Sequence, residues 1–144
     1  MTRFLLDINV LIALIDPVHV QHDRAHEWFA SKGRMAWATC PLTENGVVRI
    51  VGHLRYPNSP GSPAAVADLL TSFRKLPGHM FWPDDLSLFD REHVTADRLL
   101  DSAQVTDSYL LALARAHEGQ LATFDQRLVT DAVMNGPQAL HVIR

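Results

Sequence analysis

Asp7, Glu44, Asp107 and Asp125 lie far apart in the chain, yet each stands where an apolar segment ends or faces inward. Directed toward one core, such carboxylates repel: two unit charges about 4 Å apart cost roughly 4 kcal/mol at an effective dielectric near 20. Several such pairs rival the whole stability of a domain, typically about 5–15 kcal/mol. A site built this way has to take up protons or cations. An all-oxygen donor set suits hard ions such as Mg2+ or Mn2+ and not zinc. The chemistry open to it is phosphodiester hydrolysis, in which one or two divalent ions lower the pKa of a water and stabilise the leaving oxygen. Glu44 or Asp125 can orient the attacking water by accepting a hydrogen bond.

Taken singly, an acid in the first turn of a helix has another use: it caps free N–H groups and complements the macrodipole. Capping gives no reason for four of them to share strand ends and inward faces. Asn9, two residues after Asp7, can orient Asp7 or a ligand water, or serve as N-cap of a helix starting at Val10. Thr106 and Thr123 precede an acid by one and two residues, which places a hydroxyl beside a carboxylate or its water; Thr106 is otherwise an N-cap. Arg49, Arg55, Arg91, Arg98, Arg115 and Arg127 are candidates for phosphate contact, against a default of solvated surface. Arg49 and Arg55 stand out because they follow Glu44 on or just past its helix.

The elements that must position these groups are short and alternate in type. Phe4-Leu5-Leu6 reads as a strand buried on both faces. Val10–Ile15 predicts a helix closed by Asp16-Pro17, because the residue before proline avoids the α region. A second helix is expected over His22–Ser31 and ends at Gly33, followed by a strand over Met35–Ala38. Thr43 reads as the N-cap of a helix to about Leu54, and Ser62-Pro63 as the start of another to about Lys75. Met80–Trp82 is a strand candidate, with a helical or irregular stretch to about Leu100. Thr106–His117 is the strongest helix, capped by Gly119, and Leu121–Phe124 and Leu140–Ile143 complete the strands. Glu44 shares a helical face with Val47, Val48 and Val51; Asp107 shares one with Leu110, Leu111 and Ala114. Both acids therefore open an apolar stripe, while Asp7 and Asp125 each follow a strand, where open α/β sheets bind ligands. The alternation predicts an α/β fold, an α/β/α sandwich around a mostly parallel central sheet.

Composition narrows the class. With 144 residues, 47% hydrophobic and 20% charged, the chain reads as a single globular domain over 1–144. The lone Cys40 excludes an intramolecular disulfide and a cysteine zinc motif, and fits a cytoplasmic protein. Asp7 and Asn9 interrupt the apolar N-terminus, and no apolar run approaches the roughly 20 residues that span a bilayer. A net charge of -3 argues mildly against a nonspecific nucleic-acid coat but not against a nuclease, because the cations bound by acidic ligands go uncounted. His19, His22 and His26 invite a zinc reading, yet on one helix the outer two stand about 10 Å apart along the axis, too far to share an ion. Gly-rich phosphate loops and a nucleophile elbow are absent. Ala65, Val66, Leu69, Leu70 and Phe73 give the helix after Pro63 a broad apolar face, read as core or as a surface for a partner.

Four stretches, LLDINVLIAL, PLTENGVVRI, VTDSYLLALA and LATFDQRL, resemble the signature segments of PIN-domain ribonucleases. The resemblance is strongest to the VapC-type toxins of bacterial toxin–antitoxin pairs, in the group common in mycobacteria. It covers nearly the whole chain, includes Trp82–Asp85, and brings all four acids in the expected order. It implies a PIN fold, a Mg2+- or Mn2+-dependent endoribonuclease acting on RNA, a homodimer, and inhibition by a cognate VapB-like antitoxin. Asp7 and Asp107 match the most direct metal ligands, Glu44 and Asp125 the rest of the acidic site, and Asn9 and Thr123 supporting positions. The rival readings are an RNA- or partner-binding module on the same fold, and a structure-specific DNA nuclease.

Overall fold

Each strand of this protein is three or four residues long, so the sheet is a narrow ribbon whose ends lie close to every connecting loop. The computed structural model describes all residues, 1–144. The strands are β1 (Phe4–Leu6), β2 (Trp37–Thr39), β3 (His79–Phe81), β4 (Gln120–Thr123) and β5 (Leu140–Val142). They pair in the order β3-β2-β1-β4-β5, and all four pairings are parallel. The helices are α1 (Ile8–Ile15), α2 (His22–Ser31), α3 (Pro41–Val51), α4 (Pro63–Arg74) and α5 (Val105–Ala116).

A parallel sheet is stable when both faces are covered, and the buried side chains form two clusters accordingly. Leu6, Trp37 and Ala122 pack with α1, α2, α3 and α4; Leu5, Ala38 and Leu121 pack with α5. Successive residues of β1 thus serve opposite cores, which is why Phe4-Leu5-Leu6 is apolar throughout. The expected sandwich is the one observed.

Several helix starts lie earlier than the sequence suggests. Asp7 itself is the N-cap of α1, accepting from Ile8 N at 2.8 Å, so Asn9 is an exposed residue inside the first turn. Cys40 precedes α3, with Pro41 at its first position, and Thr43 is the third helical residue, its hydroxyl accepting from Cys40 N at 3.1 Å. Gln104 precedes α5, which leaves Thr106 exposed in the first turn. The expected caps Asn9, Thr43 and Thr106 thus lie two or three residues past the observed ones. Beyond α5, the left-handed residue is Glu118 (φ 58), not Gly119. Gly119 is needed for another reason: a Cβ there would sit 2.5 Å from Arg3 O and 2.8 Å from the Trp82 ring.

The stretch 83–104 is largely irregular, with short 3-10 turns and a single antiparallel bridge from Val94 to Val133. The histidine run has a structural role. His22 Nδ1 donates to Ala13 O at 2.7 Å and His26 Nε2 to Leu14 O at 2.8 Å, satisfying carbonyls at the end of α1. On α4, Val66 and Leu70 are core, whereas Leu69 is exposed.

Candidate active site

Parallel strands deliver their C-terminal ends to one edge of the sheet, and Asp7 is the residue next after β1. Its backbone N–H bonds Ala122 O on β4 at 3.0 Å, which seats it against the adjacent strand. Its side chain is 7% exposed. Thr123, the last residue of β4 and 1% exposed, donates from Oγ1 to Asp7 Oδ2 at 2.7 Å. The same hydroxyl accepts from Asp125 N at 3.1 Å. One threonine therefore spends its single proton on one acid and its lone pair on the backbone of the next.

Asp107 enters from the first turn of α5, on the stripe whose Leu110, Leu111 and Ala114 are fully buried. Its carboxyl is pushed up to about 6, by burial first and then by the charges of Asp7 and Asp125. Burial raises Asp7 as well, and Asp125 adds to the rise, while bonds from Thr123 and Ile8 N oppose it. Burial is the main cause of both shifts, and the charge interactions beside it tie Asp7, Asp107 and Asp125 into one electrostatic unit.

Glu44 stands differently. It projects from the first turn of α3, on the stripe with buried Val47 and Val51, toward the end of β2. Thr39 Oγ1 donates to its Oε2 at 2.6 Å, and Arg74 NH1 lies 3.4 Å from the same oxygen. Thr39 Oγ1 also meets His79 Nε2 at 2.7 Å. A carboxylate can only accept, so Thr39 gives its proton to Glu44 and His79 Nε2–H must donate to Thr39. Burial, with the charges of Arg74 and Arg3, pushes His79 down to about 4, in keeping with that neutral imidazole. Glu44 thus has its own counter-ion, whereas the other three acids face one another.

The four acids and Thr123 are marked in the sequence, whereas Thr39, Arg74 and His79 are not, and Glu44 stands with these last three. A helix-terminal arginine and a strand-initial histidine carry no local mark of an acid thirty residues away. Asn9 and Thr106 both flank the acids on exposed first turns. Arg49 and Arg55 are exposed, and the cation that reaches Glu44 is Arg74 instead.

The donor set at Asp7, Asp107 and Asp125 is all oxygen, and the protein gives the Asp107 carboxylate no compensating hydrogen bond. Both facts fit a hard divalent cation. A tighter group lies elsewhere: Asp90, Glu92 and His93 hold their ligand atoms within 4.8 Å of one another in the 83–104 stretch. There Arg115 NH1 meets His93 Nδ1 at 3.1 Å, which occupies one ring nitrogen and adds positive charge.

Residues 4–131 match the PIN domain, and the chain belongs to the PIN-domain family. Ribonuclease VapC44 of Mycobacterium tuberculosis is 46% identical over 131 residues, covering 91% of this chain and 92% of the relative. The fold is shared with the crystal structure of VapC20 from M. tuberculosis, a Sarcin-Ricin loop cleaving toxin (TM-score 0.62, 14% identity, 91% of this chain and 96% of that one). A toxin-antitoxin complex from Klebsiella pneumoniae also shares it (TM-score 0.60, 16% identity, 97% of both chains). No helix is long and apolar enough to cross a membrane.

Proposed function

We propose that this protein is a divalent-metal-dependent endoribonuclease, a single PIN domain over 1–144 that acts as the toxin of a toxin–antitoxin pair. The observation that carries the reading is the gathering of Asp7, Asp107 and Asp125, where burial first and then the neighbouring charges push the Asp107 carboxyl up to about 6. The 46% identity to a ribonuclease VapC over nearly the whole chain supports the same conclusion.

Asp7 and Asp107 are the direct ligands in this reading, with Asp125 and Glu44 completing the acidic site. When bound, Mg2+ or Mn2+ supplies the positive charge that activates water and steadies the phosphoryl oxygens. Thr123 fixes the rotamer of Asp7, and Thr39 with Arg74 fixes Glu44, so the carboxylates meet the substrate pre-oriented. Asp125, the most exposed of the trio, is placed to accept a hydrogen bond from the attacking water. Asn9 and Thr106 flank the mouth. The products are a 5′-phosphate and a 3′-hydroxyl.

The partners follow from the same class: RNA as substrate, a second copy of the chain in a homodimer, and a VapB-like antitoxin, all in the cytoplasm. An apolar cleft of about 320 Å3 lined by Leu14, Ile15, Leu69, Phe73 and Leu76 suits an antitoxin segment. The test is incubation of the purified protein with structured RNAs and matched DNAs in Mg2+ or Mn2+, with the ends mapped. Metal-restored RNA cuts bearing 5′-phosphates are expected. Cleavage of DNA alone, or binding with no cleavage, would replace this reading with one of its rivals.

A further inference from the structure

Thr71, Arg74, Lys75 and His79 line a cleft of about 270 Å3 that has no apolar residue in its wall. Thr71 and Arg74 lie on the last turn of α4 and Lys75 is its C-cap, still helical in backbone, so the three share a face, and His79 opens β3 beside them. That is the carbonyl end of α4, where the backbone disfavours an anion. Any attraction for negative charge must therefore come from the Arg74 and Lys75 side chains. In a chain of net charge -3, two adjacent cations beside an acidic site are a local reversal of sign.

Arg74 is held from two sides. NH1 lies 3.4 Å from Glu44 Oε2, and the guanidinium carbon lies 5.3 Å from the centre of the Phe81 ring. A guanidinium has five N–H donors, and Glu44 faces one nitrogen, so donors remain for the cleft that Arg74 also lines. The group is 40% exposed, which leaves it open to a ligand from solvent. Glu44 is fixed in turn by Thr39 at the end of β2, the strand beside β1 and Asp7. A chain of contacts thus runs from the cleft through Glu44 to the end of β2, beside the strand that leads into Asp7.

We propose that this cleft seats a backbone phosphate of the RNA substrate, flanking the phosphate that is cut, with Arg74 and Lys75 as its contacts. A planar guanidinium matches phosphate oxygens bidentately, and an ammonium adds a point charge. The assignment rests on the ribonuclease reading above and deepens it.

The test uses the full chain carrying Asp107→Asn, so that bound RNA stays intact. Affinity for a fluorescent single-stranded RNA is measured by anisotropy over a series of salt concentrations in Mg2+. Adding Lys75→Ala should weaken binding roughly tenfold, the loss of one charge-assisted contact. The plot of log affinity against log salt should become shallower by about 0.7 for that contact. Arg74→Ala should do the same. Lys75 touches neither Glu44 nor the other acids, so its effect reads phosphate contact and not disturbance of Glu44. Lys32→Ala removes an equal charge beside β5, the opposite edge of the sheet, and should change little. Unchanged affinity and slope in both cleft variants would overturn the assignment, as would no RNA binding by the Asp107→Asn chain. If the unmutated chain cuts RNA while the slopes stay unchanged, the cleft alone is wrong. If the slopes fall but the unmutated chain cuts nothing, the ribonuclease reading fails and the cleft stands as a nucleic-acid site.

Discussion

The Thr123 hydroxyl donates to Asp7 Oδ2 at 2.7 Å, joining two residues separated by 116 positions in the chain. Its oxygen also accepts Asp125 N–H, so one buried side chain sets the spacing of two site acids. Thr123→Val keeps the shape and removes both bonds. Leaving buried polar groups without partners should cost about 1–3 kcal/mol in urea unfolding. RNA cleavage should fall by roughly 10–100-fold, the usual range for a partner that orients a metal ligand. Thr123→Ser should recover most of both, whereas equal loss in the Ser and Val variants would show that packing, not the hydroxyl, matters.

Asp107 predicts a pH dependence whose sign is opposite to that of an ordinary salt-bridged acid. Its folded pKa is raised from 3.8 to about 6, so the folded state holds the proton more tightly than the unfolded state. Ionisation therefore works against folding: metal-free stability falls as pH rises from 3.8 through about 6, and the penalty persists above. With EDTA present, Asp107→Asn should melt at a higher temperature than the unmutated protein at neutral pH. The gap should close below the ordinary carboxylate range. A gap that is constant with pH would remove ionisation of the Asp107 carboxyl as its cause.

Asp7→Ala should not show that gain. Asp7 caps α1 through Ile8 N, and losing a cap costs about 1 kcal/mol, which opposes the relief of repulsion. Both substitutions should abolish cleavage, but only Asp107→Asn should stabilise, a difference that thermal melts in EDTA can read.

Asp16 supplies the contrasting case far from the site acids. Burial pushes its carboxyl up, but bonds from the Tyr56 hydroxyl, Asn58 and Val18 N, with the nearby His19, outweigh that and hold it below 3.8. The stability it contributes is present above 3.8 and is lost as pH falls through its lower folded value. Tyr56→Phe should cost about 1–2 kcal/mol at neutral pH, with the deficit narrowing in acid and RNA cleavage unchanged. A deficit that persists after Asp16 is protonated would place the loss in packing of the ring.

Glu118 and Gly119, a residue beyond the end of α5, should respond in opposite directions. Glu118 occupies the left-handed region at φ 58, so Glu118→Gly should stabilise by up to about 1 kcal/mol. Gly119→Ala forces a methyl against Arg3 O and Trp82 and should destabilise by about 1–3 kcal/mol. Urea midpoints of the two variants check both.

Much of this was legible in the chain because the signals were local. A carboxylate after an apolar triplet, or at the head of an apolar helical stripe, can be seen within seven residues, and Asp7, Asp107 and Glu44 were found that way. Caps were less legible. Asp7 and Cys40 start their helices because the chain turns straight off short strands, and that depends on strand length, which apolar triplets do not mark. The Glu44–Arg74 contact was invisible for a different reason: it joins residues brought together by the α4–β3 crossover, and nothing near Arg74 signals an acid. Asp125 was read from its place after β4, but its tie to Asp7 through Thr123 emerges only when β1 and β4 pair in register.

In the proposed function Asp7, Asp107 and Asp125 serve together as a cation site for RNA hydrolysis. The most direct measurement is RNA cleavage by EDTA-stripped protein before and after Mg2+ or Mn2+ is returned, run beside folded Asp107→Asn. The unmutated chain should be silent without metal and active with it, and the variant should stay silent in both. Full cleavage by the stripped protein, or by folded Asp107→Asn, would contradict the account.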